Sequence, residues 1–491
     1  MLRRLGFIVL MLTTLFVPPA AADDDHSRAG ANAHPSARAA GPYAFVAGRR
    51  DSNITVVDIG RALDPANAGN PNAILSEAKT APDVNGAPRG DPANVMVSSD
   101  GRIAIAVNHA GNADQEAIAG FHHGWPATLA VLDTEKAMDP ANTFTTNALL
   151  ANFPTGAFGA VGIVMSKDGK HLVVSHAESD MKETGGREFS IIELATGKVV
   201  RIFRTAPGSG GRIQNEPGFS CAEMQAEPSR IPRGYPHPNV GCFTETNAIG
   251  VARGHLFTAN GGTDEVGVIN MGRLLAGREN AEVARIPVHY GPWGLDISPR
   301  EDLVAVANRE SGEFGQTDNT NAPREGRTIS ILDTRAAIAD RPDAVLATVV
   351  VGTDDRNLEP PTENSATASR PFFPKFTPDG REILVTNYRT NSVSVVNVKR
   401  AVAGSPTAEV ARIPLVRPLD SDGVQRPARP KGIAITSDGR YAVVTGGERN
   451  NLPDAGTLFV IDIRQRKQVA AVTGVGNDPY TVAITNGPVS G

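Results

Sequence analysis

The sequence predicts an all-β fold, a seven-bladed β-propeller of four-stranded antiparallel blades closed by a C-terminal strand that completes the first blade. Three observations predict it. One short pattern (strand, Asp-Gly turn, strand, polar corner, strand) recurs along the chain, and its clearest copy runs from Pro374 to Val398. Its β-branched runs alternate or are wholly apolar, and Gly, Asp and Asn stand where tight turns need positive φ. The two chain ends hold complementary fractions of one further copy. A unit this small cannot bury its own face, so copies must stack.

Taken in order, the copies read as follows. The region after the leader starts in mid-unit, with strands at Tyr43–Gly48 and Asn53–Asp58 and no opening strand. Full copies begin near Asn94, Gly162, Asn247, Pro292, Pro374 and Pro430. An orphan opening strand, Asp478 to Thr485, ends the series and supplies what the first copy lacks. Closing the ring removes the exposed sheet edges that would template aggregation. A linear array would want polar capping units, and the sequence has none. Fifty Gly, 36 Pro, 21% charged residues and no heptad or long helical pattern agree with an all-β chain. The formal charge of −5 argues against a nucleic-acid footprint, which is usually strongly basic.

Ahead of the repeats, residues 1–22 have the form of a secretory signal. Arg3-Arg4, an apolar run from Leu5 to Val17 and Ala20-Ala21-Ala22 precede three aspartates. The apolar run is shorter than a bilayer span, so cleavage is expected to leave no transmembrane segment. Residues 23–41 read as a disordered leader and 42–488 as the propeller, placed in the periplasm or secreted as a monomer. In an oxidising compartment the two cysteines, Cys221 and Cys242, read as one disulfide. It would close a loop of about 20 residues and contribute roughly 3 kcal/mol. Two reduced buried thiols are the alternative; there is no C-x-x-C.

Val385-Thr386-Asn387, after Pro378-Asp379-Gly380 and before the Ser392 strand, resembles the YVTN β-propeller repeat family. Val306-Ala307-Asn308, Thr258-Ala259-Asn260 and Val444-Thr445-Gly446 are weaker versions. The resemblance covers about residues 43–487 and implies an exported propeller. Its relatives by fold include lactonases, nucleic-acid-binding propellers and quinoprotein subunits, and fold alone does not choose among them.

In a propeller blade strands A to D run outward from the channel, so B–C and D–A loops share one face. Here the A–B turns are minimal, whereas the B–C loops and D–A insertions (roughly 76–91, 207–245, 352–371 and 416–428) are long. Long loops on a rigid scaffold carry function, so this loop-rich face is the expected binding face. By contrast, the near-copies Asp58–Asn67 and Asp133–Asn142 on the other face read as one- to two-turn helices ended by Asp-Pro, a structural by-product of the repeat.

On the binding face the ends of strand B place Gly48, Asn108, His176, Asn260, Asn308, Asn387 and Gly446 around the channel mouth. The starts of strand A add Trp293, Lys375, Lys431 and Tyr480. The asparagines have a structural reading as corner caps. Arg49, Arg50, Arg309, Arg389 and Arg449 follow the strand-B ends and predict an anion-attracting mouth, unless they are solvated partners of neighbours such as Glu310 and Glu448. His109, His122, His123 and His176, with Glu178 or Asp180, are candidate ligands for a divalent metal, although no spacing forces them together. No other cofactor is expected. No G-x-S-x-G elbow, P-loop or dinucleotide fingerprint appears in a supporting context. The expected function is binding of a ligand or protein partner, an anionic one by this charge pattern, without catalysis. The alternatives are a lactonase-like or metal-assisted hydrolase at the mouth and, disfavoured by charge, a nucleic-acid binder.

Overall fold

The structure, a computed structural model, describes residues 41–49, 51–83, 90–109, 127–177, 186–206, 244–289, 291–310, 325–353, 369–447 and 456–486. Seven four-stranded antiparallel sheets form the blades. In blade 1 the order from the inside is Pro479–Thr485, Tyr43–Gly48, Asn53–Asp58 and Ile74–Lys79, so the last strand of the chain pairs with the first. Blades 2 to 7 follow in chain order, and their A strands start at Pro92, Ala160, Thr246, Pro292, Pro371 and Pro430. Strand D of blade 1 runs to Lys79, so the first D–A insertion begins there and not at residue 76. The signal, residues 23–40 of the leader and both cysteines lie outside the described residues.

The core is divided among the seams between blades. Val46, Val57 and Val482 of blade 1, for instance, pack against Leu458, Val460 and Val472 of blade 7. Strand B of each blade is buried because both of its faces meet neighbouring blades, which explains its wholly apolar runs. The Asp-Gly turns cap themselves: Asp100, Asp379 and Asp438 accept from the hydroxyl two residues before and the backbone N–H two residues after. These bonds hold their carboxyls below the usual range. The recurring helices are single turns capped by Asp58, Asp133, Asn270, Asp333 and Asn397. Asp-Pro does more than end them. Asp64 and Asp139 cap a second, 3₁₀ turn at Pro65–Asn67 and Pro140–Asn142, where proline fits the first position.

The Val-Thr-Asn strand ends have a specific job. Strand A carries an irregularity after its first residue, where the register against strand B slips, as between Pro371 and Pro374. A threonine hydroxyl near the end of strand B repairs it: Phe373 N–H donates to Thr386 Oγ1 (3.0 Å) and Gly432 N–H to Thr445 Oγ1 (2.9 Å). The same hydroxyls donate onward to the next blade, Thr386 to Lys431 O (2.6 Å) and Thr445 to Tyr480 O (3.1 Å). One threonine thus closes a bulge and ties two blades. Inner strands approach closely here. A Cβ on Gly294 would lie 2.2 Å from Phe372 O, which only glycine avoids.

Candidate functional site at the channel mouth

Sheet pairing aligns the seven inner strands at the mouth. Their first residues lie opposite residues at or near the end of strand B, as in Pro92↔Asn108, Pro292↔Asn308, Pro371↔Asn387, Pro430↔Gly446 and Pro479↔Gly48. The second residues then form a ring: Tyr480, Ala93, Val161, Asn247, Trp293, Phe372 and Lys431 in blades 1 to 7. Trp293, Lys431 and Tyr480 are where the sequence places them. Lys375 is not; it is the fifth residue of its strand and pairs with Asp296 (2.8 Å) on the neighbouring inner strand. Phe372 occupies the ring position instead.

Phe372 is a hub. Its ring lies 5.9 Å from Trp293, 5.7 Å from Tyr480 and 5.8 Å from Tyr388, and the buried group also includes Ala93 from across the channel. Each of these three rings carries a cation. Arg309 stacks 3.7 Å over Trp293, Arg49 lies 5.3 Å over Tyr480, and Arg370 and Arg429 lie 5.4 and 5.2 Å over Tyr388. Lys431, buried, is within 6.0 Å of both tyrosines, bonds to Gly447 O (3.1 Å) and pairs with Asp478. Arg49 also faces Asp91 at 3.5 Å. Such stacks contribute about 0.5–2 kcal/mol each and hold guanidinium groups in fixed planes. The indole Nε1–H of Trp293 has no hydrogen-bond partner among the described residues.

The backbone under this cluster is strained. The residue before strand A is left-handed in six blades, and two of these are glycines, Gly159 and Gly291. The others are Glu245 (φ 48°), Arg370 (51°), Arg429 (47°) and Asp478 (54°), three of which directly precede proline. Such a conformation costs a non-glycine residue of order 1–3 kcal/mol. Charged side chains stand where glycine would be cheapest.

The strand-B polar residues turn into the blades. Asn108, Asn308 and Asn387 are buried and donate to strand-C hydroxyls, as from Asn308 to Thr328 and Ser330 at 3.0 Å each. Asn260 accepts from Thr258 (2.9 Å) and Thr246 (3.2 Å). This is the corner-cap reading. His176 does the same work in blade 3, with its ring nitrogens 3.0 Å from Phe158 O and 2.8 Å from Ser190 Oγ. Burial holds it neutral, with its pKa lowered to about 4 against a Phe158 bond that raises it. His109 is also buried, with Nδ1 3.0 Å from Ala160 O. His122, His123, Arg50, Arg449, Glu178, Asp180 and Glu448 lie outside the described residues, and no group of three or more His, Cys, Asp or Glu placed to hold a metal occurs among the described ones. Asp264 is a structural tie that accepts from Gly291 N–H (2.8 Å). Arg389 follows Tyr388 at the blade 6 corner.

Sequence reasoning missed Phe372, Tyr388, Arg370 and Arg429. The usable signal was the residue pair around each proline that opens strand A: Arg370-Pro371-Phe372, Arg429-Pro430-Lys431 and Asp478-Pro479-Tyr480.

No family model matches the chain, and no curated protein does. Solved structures do. A periplasmic gluconolactonase of Pseudomonas aeruginosa is 14% identical, with 91% of this chain and 99% of that one covered at a TM-score of 0.55. A protein described as a candidate 6-phosphogluconolactonase from Bacteroides fragilis NCTC 9343 is 13% identical, covering 92% and 100% at 0.52. A protein of unknown function from Desulfotomaculum acetoxidans DSM 771 is 12% identical, covering 91% and 100% at 0.51. At this identity the likeness shows the seven-bladed propeller fold alone.

Proposed function

We propose that this chain is an exported binding propeller whose channel mouth takes a small organic anion, without catalysis by the mouth itself. The observation that carries the reading is the Phe372 hub with three cation-capped rings around it. An aromatic face fixes the plane of the guanidinium stacked on it, and guanidinium groups bind carboxylate or phosphate oxygens bidentately. The rings offer an apolar bed for the ligand's carbon skeleton, the usual make-up of a small-molecule site. Export belongs to the same reading and rests on the signal-like residues 1–22; among the described residues no helix is long and apolar enough to cross a membrane.

Trp293 supplies the assay. In a Trp125→Phe background, gluconate, 6-phosphogluconate, citrate and benzoate are titrated while indole fluorescence is followed. At least one should quench or shift Trp293, and Arg309→Ala should weaken it about tenfold or more, equivalent to about 1.4 kcal/mol. If no anion moves the signal, or Arg309→Ala binds equally well, the reading fails.

A second reading, lactone hydrolysis, takes its support from the names of two neighbours of like fold. A mouth built for a carboxylate would also hold the product of such a reaction. Incubation with D-glucono-1,5-lactone, with and without added divalent metal, separates the two. Turnover abolished by Phe372→Ala would replace the non-catalytic reading.

A further inference from the structure

The seam between blades 1 and 7 holds two carboxylates that no cation of the described residues faces. Asp51 lies in the B–C turn of blade 1 and accepts from Asn477 N–H of the segment leading to the closing strand. Glu77 lies on strand D directly opposite Thr55 on strand C, so the two side chains leave one face of the sheet. On that face Val46 and Val482, in register with Thr55, pack against blade 7. Neither carboxylate has an ion pair with Lys, Arg or His among the described residues.

Thr55 is an independent pointer. It is fully buried, and its Oγ1 has no hydrogen-bond partner among the described residues. A Cβ placed on Gly476, whose φ is 64°, would lie 3.3 Å from Asp51 Oδ2 and 3.6 Å from Thr55 Oγ1. Carboxylate and orphan hydroxyl therefore border one small space kept open by a glycine. An unsatisfied buried hydroxyl is costly, and a ligand that accepts its lone pair removes the cost. Burial and the charge of Asp51 push Glu77 up to about 7. Burial also raises Asp51, opposed by the Asn477 N–H and reinforced by Asp478.

We propose that a calcium-sized divalent cation binds on the blade 1 side of this seam, held by the carboxylates of Asp51 and Glu77 and the hydroxyl of Thr55. Two carboxylates neutralise a double charge, and the ligands are all hard oxygens. They come from a turn, a strand C and a strand D, an uneven set that calcium tolerates and magnesium, with its octahedral demand, does not. Asp51 and Glu77 are half-buried, so waters can complete the shell.

The test uses the full mature chain freed of metal with a chelator. Equilibrium dialysis with calcium should find one ion per chain. Calcium should raise the melting temperature well above the effect of equal magnesium, and Glu77→Gln should weaken calcium binding at least tenfold while still folding. Thr55→Val should weaken it less. If calcium leaves wild type unmoved while Glu77→Gln alone raises its melting temperature, the pair holds a proton and the proposal is overturned. Equal calcium response in wild type and Glu77→Gln overturns it as well. Arg50→Ala guards against a guanidinium of the chain itself filling the space: stronger calcium binding only in that variant would reject a resident ion in wild type.

Discussion

The two halves of the channel mouth use one backbone slot in opposite ways. In blades 5, 6, 7 and 1 the second residue of strand A is Trp293, Phe372, Lys431 and Tyr480; in blades 2, 3 and 4 it is Ala93, Val161 and Asn247. The flanking positions differ in the sign of their charge. Gly291, Arg370, Arg429 and Asp478 precede the strand on the first side, and Asp91, Gly159 and Glu245 on the second, so cations stand there only on the first side. Blade geometry is the same on both sides, so folding does not demand the bulky, charged set. Where a repeat gives the scaffold no reason to differ between copies, the difference is a record of function.

The largest effect that would break this comparison is at the hub. Phe372→Ala removes a buried ring that touches four others and should cost roughly 3–5 kcal/mol. Val161→Ala, at the matching position of blade 3, should cost roughly 2 kcal/mol or less by loss of two methyl groups. Urea unfolding of both measures the ratio. Near-equal losses would mean that the aromatic side is no more built up than the small one. Anion binding should vanish only with Phe372→Ala.

A middle-sized effect sharpens the other half. His176 takes the corner that Asn308 and Asn387 take in blades 5 and 6, and Ser190 is the counterpart of Ser330 and Ser394. Its folded pKa is lowered to about 4 from 6.5. Below pH 6.5 the unfolded chain therefore gains a proton that the folded chain refuses until about pH 4. Stability from this group is complete above pH 6.5 and lost as pH falls through that window, by about 3 kcal/mol in all. His176→Asn should fold and lack that component, so wild type should lose about 3 kcal/mol more than the variant between pH 7 and pH 4. Parallel pH–stability curves would refute it.

Much of this was legible in the sequence, and the reason for the rest is physical. Strand period and Asp-Gly turns report the blades directly, and the half-units at the ends report closure. Arg49, Arg309, Trp293, Lys431 and Tyr480 were found because they follow or open a recognisable strand. Phe372 was lost to a bulge. Pro374-Lys375 imitates Pro430-Lys431, yet pairing sets Pro371 opposite Asn387 and the register slips before Pro374. A bulge leaves no mark in hydrophobic alternation. The inward turn of the asparagines was equally hidden, since it depends on hydroxyls about 20 residues or fewer away that only the sheet brings near. Arg370 and Arg429 were overlooked because a residue before proline normally reads as extended.

That last departure yields the smallest and most discriminating effect. Arg429 holds φ at 47° ahead of Pro430 and lies 5.2 Å over the Tyr388 ring. If the scaffold alone shaped this position, glycine would serve, as Gly159 and Gly291 do at the corresponding corners. Arg429→Gly relieves the left-handed strain but frees the unfolded chain and removes one ring stack, terms of about 1 kcal/mol each that oppose one another. Its melting temperature should therefore stay within a few degrees of wild type, in either direction. Anion affinity should fall about tenfold. The pairing of unchanged stability with lost binding is the signature of strain retained for a ligand. A variant that loses several kcal/mol of stability and keeps its affinity would instead assign the arginine to the scaffold, and with it the asymmetry of the mouth.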